Sequence, residues 1–172
     1  MKYILLGIIV LFFISCEENR GKNQGGILNI PEDLISYDSK DSLNLDEWKS
    51  NSLIIYTSIN TSCATCLLEI KNWREIEGIL KKNKVLLVPI CHSKDNFELL
   101  IYLFESGELE RLNFQLFLDK KNEFINSNKN LLDKTNNITV LTNVNNKILL
   151  QGSPFDSQKL MDRYIEVITK TN

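Results

Sequence analysis

Two near-continuous apolar runs, residues 52–59 (SLIIYTSI) and 85–91 (VLLVPIC), flank a stretch with helical spacing at residues 66–80. A strand buried on both faces reads as an unbroken apolar, β-branched run, whereas a strand with one wet face alternates. Two such strands separated by a helix cannot be joined by a tight turn. They run parallel, with the helix crossing one face of the sheet. The alternation continues downstream. Residues 96–112, rich in Leu, Phe and Glu, predict a helix, 113–118 a third strand and 123–132 a short helix. Residues 138–142 and 147–151 predict two strands around Asn145 and Asn146, a good tight-turn pair. Residues 156–169 predict an amphipathic helix capped by Asp156 or Ser157. Upstream, residues 33–46 suit a short strand or hairpin, and residues 45–48 a helical turn. The expectation is an α/β domain, a central mixed β-sheet flanked by helices.

At 172 residues the chain has room for one domain and a short appendage. With 43% apolar and 24% charged residues it is too apolar for wholesale disorder. A net charge of −2 excludes binding to polyanions through bulk charge, so no nucleic-acid partner is expected. One histidine and no His/Cys cluster exclude the usual zinc spacings. The four cysteines, at positions 16, 63, 66 and 91, are too few for a disulfide-dense scaffold.

The first residues read as a targeting segment. A lysine at position 2 precedes an unbroken apolar run over residues 3–14, too short to span a bilayer and suited to a signal-peptide core. The run stops at Ser15 and Cys16, followed by two glutamates. A small residue directly before a cysteine resembles the bacterial lipobox, in which that cysteine becomes the lipidated first residue. Phe13 departs from the leucine commonest at its position, and a plain signal peptide with an incidental cysteine is the alternative. The expected organisation is a lipoprotein signal peptide at 1–15, a polar tether at 16–26 (CEENRGKNQGG) and a folded domain at 27–172. The expected location is the bacterial cell envelope, on a membrane anchor facing the periplasm or cell surface, where disulfides are permitted.

One short motif carries chemistry. Cys63-Ala64-Thr65-Cys66 falls between a predicted buried strand and a predicted helix. Two thiols at this spacing can meet as a disulfide, and a helix start favours a thiolate. The first cysteine is expected to be more exposed and nucleophilic, the second to turn inward and resolve the mixed disulfide. A purely structural disulfide or a degenerate site in a binding module is the alternative. A metal site would need two further ligands.

At this junction the sequence resembles the thioredoxin superfamily, closest to its exported, often membrane-tethered, TlpA-like and peroxiredoxin-like branch. The resemblance covers residues 34–168, from an entry hairpin, short helix and first central strand (36–58), through an inserted helix and strand (97–118), to the hairpin at 139–151 and the terminal helix. It implies a thioredoxin-like fold and exchange of disulfides with extracytoplasmic proteins. It implies no cofactor beyond the cysteine pair. The partners implied are protein thiols and disulfides and a redox partner protein, with the chain acting as a monomer. It implies Cys63 and Cys66 as catalytic. It adds Glu69, one helical turn after Cys66, as a group tuning proton transfer there, against the alternative of a solvated helix glutamate.

Three departures from the family pattern stand out. Ser62 replaces the tryptophan usual before the first cysteine, Ala64 and Thr65 replace a proline-containing pair, and Asn137 falls where the family places a cis-proline. A cis bond at a non-proline residue costs about 2.5–4 kcal/mol, so Asn137 is expected in trans. Asn137 and Ile138 would form the substrate-facing loop, presenting an N–H and an amide instead of a proline, with weaker or differently aimed docking of extended peptides.

Other residues point to packing. Cys91 ends the strand that neighbours the motif and is expected to be buried and inert, though in reach of the pair. His92 as a base is set against an ordinary surface histidine. Trp48, Trp73, Phe97, Tyr102 and Phe104 read as core or helix-packing residues. The functional expectation is a lipid-anchored thiol-disulfide oxidoreductase. A non-catalytic thioredoxin-like lipoprotein serving as a binding or accessory module is the alternative, and a peroxidase is more distant, since the threonine-proline context before its reactive cysteine is missing.

Overall fold

The computed structural model describes residues 25–37, 52–109 and 114–171. The signal segment, Cys16, most of the tether, the helical turn expected at 45–48 and Trp48 lie outside the described residues. Among the described residues six strands form one sheet: β1 (Ile35–Tyr37), β2 (Leu53–Asn60), β3 (Val85–His92), β4 (Leu116–Asp119), β5 (Thr139–Asn143) and β6 (Ile148–Gln151). Their spatial order is β1-β4-β3-β2-β5-β6. β2, β3 and β4 run parallel, while β1, β5 and β6 pair antiparallel to their neighbours, so the sheet is mixed as the sequence predicts. The helices are α1 (Ala64–Leu67), α2 (Glu69–Lys82), α3 (Glu98–Glu105), α4 (Glu123–Ser127) and α5 (Gln158–Thr171), with single 3₁₀ turns at Lys129–Leu131 and Pro154–Asp156.

β2 is buried along nearly its whole length because both its faces are covered. Leu53 and Ile55 pack with Trp73 and Leu80 of α2 and with Leu160, Tyr164 and Ile168 of α5. Ile54 and Tyr56, on the opposite face, pack with Val88, Phe124, Leu131, Ile138 and Val140. A third cluster, around Ile59, Leu67, Ile70, Cys91 and Leu100, sits under the end of the sheet that carries the Cys-x-x-Cys motif. Trp73 meets Phe155 edge-on at 4.9 Å, fixing α2 against the turn before α5.

Several boundaries differ from expectation for local reasons. The helix after the motif is interrupted at Leu68, whose N–H bonds to Thr65 O at 3.2 Å, and resumes at Glu69. β1, the short strand expected within residues 33–46, pairs with β4, while residues 38–51 lie outside the described residues. The hairpin turn is longer than two residues: Asn143 N–H bonds to Lys147 O at 3.1 Å, and only Asn146 is left-handed (φ 57°), where a two-residue type I′ turn needs two such residues. Gly25 and Gly26, expected in the tether, already bond to Ile148, and Leu28 is buried in the core. Ser157, not Asp156, caps α5, its Oγ accepting Leu160 N–H at 3.3 Å.

Candidate functional site

The parallel strands β2 and β3 end side by side at Asn60 and His92, and the antiparallel β5 begins at that same sheet end. The connections after β2 (residues 61–63), after β3 (93–97) and before β5 (132–138) meet there, together with those that follow β4 and β6. The first carries the motif. Thr61 N–H bonds to His92 O at 2.9 Å and Ser62 N–H to Asn60 Oδ1 at 3.1 Å, turning the chain sharply off the strand. Cys63 then takes an extended conformation and caps α1, its sulfur accepting Cys66 N–H at 3.3 Å.

Cys63 and Cys66 form a disulfide with Cα atoms 5.2 Å apart. Both are half-buried, and the intervening Ala64 and Thr65 are exposed. Thr65 Oγ1 lies 3.2 Å from Cys63 Sγ. With both sulfurs in the disulfide, only the hydroxyl can donate. Reduction would release a Cys63 thiolate already facing two donors, this hydroxyl and Cys66 N–H, which is the physical recipe for a stabilised thiolate.

Ser62, the residue directly before the first cysteine, is bound into the connection after β3. Its Oγ accepts Lys94 N–H at 2.8 Å and contacts Ser93 Oγ and Asp95 Oδ1, each at 3.2 Å. Ser93 Oγ donates to Asp95 and accepts Asp95 N–H and Phe97 N–H, both at 3.0 Å. These bonds from Ser93, then Ser62, hold the Asp95 carboxyl below its ordinary range. A small polar side chain here converts the flank of Cys63 from an apolar cover into a hydrogen-bonded brace.

Glu69 lies one turn beyond Cys66 and is half-buried. Burial, then the negative charges of Asp133 and Asp156, push its carboxyl up from the usual glutamate range. A carboxyl so placed can hold a proton at higher pH than a surface glutamate, which is what a proton acceptor for a nearby thiol requires.

The connection before β5 differs from the sequence expectation. Asn137 is in trans, as expected, but neither it nor Ile138 faces solvent: they are 5% and 0% exposed. Asp133 closes the loop. Its Oδ1 accepts Thr135 N–H at 2.7 Å, Thr135 Oγ1–H at 2.7 Å and Asn137 N–H at 2.9 Å, while Asp133 N–H bonds to Asn137 O at 2.9 Å. Ile138 N–H bonds to Ser58 Oγ, and Ser58 N–H to Ile138 O, both at 2.7 Å. The expected free N–H at Asn137 is thus taken by an aspartate four residues upstream. Asp133 and Ser58 were missed because each looks like an ordinary loop or strand residue. An Asp three residues before a left-handed Asn136 (φ 59°) is the local signal that could have shown the closed loop.

Cys91 is buried among the apolar residues beneath the motif as a free thiol, which burial pushes up to about 12. His92 is half-buried, and burial lowers its imidazole below the ordinary value against the opposing pull of Asp119. Trp73 and Phe97 are core residues, whereas Tyr102 is 58% exposed, contrary to a core role. Among the described residues no group of three or more His, Cys, Asp or Glu is placed to hold a metal ion, and no helix is long and apolar enough to cross a membrane.

No family model and no curated protein matches the chain. Solved structures do match. A protein assigned as the thiol:disulfide interchange protein DsbE of Chlorobium tepidum superposes with a TM-score of 0.61 at 14% identity, over 84% of this chain and 97% of that one. The thioredoxin domain of a thiol-disulfide oxidoreductase from Bacteroides vulgatus gives 0.57 at 11% identity, over 84% and 97%. An exposed lipoprotein thioredoxin of Streptococcus pneumoniae gives 0.51 at 10% identity, over 71% and 88%. At such identities the likeness is one of architecture: the chain has the thioredoxin-like fold, with a disulfide-bonded Cys-x-x-Cys pair at the end of its sheet.

Proposed function

We propose that the protein is a lipid-anchored thiol-disulfide oxidoreductase that exchanges disulfides with extracytoplasmic proteins through Cys63 and Cys66. The observation that carries this reading is the half-exposed Cys63–Cys66 disulfide at the strand-to-helix junction, its first sulfur facing two donors. In the reducing direction the Cys63 thiolate attacks a substrate disulfide. One S–S bond forms, one breaks, and a substrate thiolate leaves. The Cys66 thiolate then attacks Cys63 Sγ, expelling the second substrate thiolate and regenerating the internal disulfide. Two electrons pass from the pair to the substrate, and a dithiol partner returns them. Glu69 is suited to accept the Cys66 proton.

The reduction potential of the pair is the decisive measurement. Structural disulfides lie below about −300 mV and exchange-active pairs above it, between about −270 and −120 mV. A potential in the second range, with thiol release from a disulfide substrate that Cys63→Ser abolishes, is expected. A potential below −300 mV would favour the accessory-module reading, for which the closed loop at Asn137 speaks. The anchor at Cys16 has its own test: intact mass of membrane-extracted protein should give a mature chain beginning at an acylated Cys16.

A further inference from the structure

A disulfide exchange site can hold an extended substrate by adding it as a strand, which requires unpaired backbone N–H and C=O groups beside the reactive sulfur. On three sides of Cys63 a run of such groups, mostly N–H donors, is taken by this chain's own atoms. After β2, the N–H groups of Thr61 and Ser62 go to His92 O and Asn60 Oδ1. After β3, those of Lys94, Asp95 and Phe97 go to serine hydroxyls. Before β5, Asp133 takes the N–H and the carbonyl of Asn137, and Ser58 takes those of Ile138. The last connection lies at the same sheet end as the disulfide, since Ile138 is bonded to Ser58, five residues before Cys63. The tip of the motif itself is accessible, with Ala64 and Thr65 exposed and Leu68 53% exposed beside it.

We propose that this closed backbone rim denies strand pairing to substrates, that Asp133 keeps it closed, and that the pair acts on disulfides presented at a protruding tip of a folded protein rather than within an extended segment. The proposal rests on the exchange reading above. Asp133 is a positioning residue: it touches neither sulfur and acts by withholding the Asn137 backbone. A tip-presented cystine needs only the in-line approach of its sulfur to Cys63, which the exposed motif allows.

The test compares two probes with the same reacting bond. One is the mixed disulfide of glutathione with a single blocked cysteine. The other is the mixed disulfide of glutathione with a ten-residue unstructured peptide carrying that cysteine at its centre. The reduced full chain attacks each, releasing thiolates, and dithiothreitol as the dithiol donor restores the pair. For the native protein the two rates should agree within about twofold, because the peptide backbone gains no partner. Asp133→Ala removes the acceptor of the Asn137 N–H, and the peptide probe should then outpace the small one by about tenfold, the upper end of what one main-chain hydrogen bond is worth. Asp133→Asn keeps the accepting Oδ1 and should stay near equality. Because each result is a ratio, any effect on Glu69 cancels. A native protein that reacts ten times faster with the peptide, or an Asp133→Ala ratio that stays at one, overturns the proposal. If Asp133→Ala does not fold, the native ratio and Asp133→Asn decide. Failure to react with the small probe at all would instead overturn the exchange reading itself.

Discussion

Replacing Thr65 with valine removes one hydroxyl and almost no volume, and it isolates the contact between Thr65 Oγ1 and Cys63 Sγ at 3.2 Å. A hydrogen bond to a charged group is worth about 1.5–3 kcal/mol, and the exposure of Thr65 places this one at the lower end. Since one pKa unit corresponds to about 1.4 kcal/mol, Thr65→Val should raise the Cys63 thiol by about one unit. At a pH below both values the thiolate fraction falls about tenfold. The thiolate that remains is more nucleophilic by roughly threefold, given a Brønsted slope near 0.5, so alkylation should slow by about threefold. At a pH above both values, where the reduced cysteine is thiolate, destabilising it also disfavours the reduced pair and lowers the potential by about 30 mV. The assay is iodoacetamide alkylation against pH in a Cys66→Ser background, with the labelled peptide identified by mass so that Cys63 is read alone. Thr65→Ser keeps the donor and should track the native curve. A Thr65→Val curve that superimposes on the native one, or a Thr65→Ser shift as large as that of valine, would refute the hydroxyl's role.

Glu69 provides a pH test of opposite sign to the usual carboxylate. Its folded value is raised by burial and by Asp133 and Asp156, so its contribution to stability is full below the ordinary glutamate range and is lost as pH rises through the folded value. Glu69→Gln should therefore raise the Tm at about pH 8 and leave it nearly unchanged at about pH 4; a fall at pH 8 would contradict the assignment. Trp73→Ala empties a site that is 1% exposed and removes the edge contact with Phe155, so it should cost about 3–5 kcal/mol in denaturant unfolding with the potential of the pair unchanged. Peptide mapping after brief alkylation of the reduced, folded protein should find Cys63 and spare Cys91, whose thiol burial pushes up to about 12; rapid labelling of Cys91 would show that this end of the sheet opens.

Most of the architecture was legible because it depends on periodicity. The continuous apolar runs of β2 and β3 mark strands covered on both faces, and the spacing of Leu160, Tyr164 and Ile168 marks the buried stripe of α5. The Cys-x-x-Cys pair and its position at a strand-to-helix junction were equally local facts, readable from neighbours in the chain. Pro89 lies in a central strand, opposite Thr57 of β2 and one residue before the pairing with β4 begins at Ile90, a detail of register invisible in sequence.

What only the tertiary structure decided is how the site is enclosed. Ser62 and Asp95 are 33 residues apart, Ser58 and Ile138 are 80 apart, and the sequence offers no pattern that pairs them. Asn137 shows the difference most directly. That it is a trans residue follows from its lacking a proline ring, a property of the residue alone. Whether its N–H faces a substrate depends on where Asp133 and Ser58 lie when β5 docks against β2. Covalent preference and hydrophobic periodicity act over a few residues, so the chain itself declares them. The satisfaction of a buried backbone donor is settled only when distant segments are brought within about 3 Å of one another.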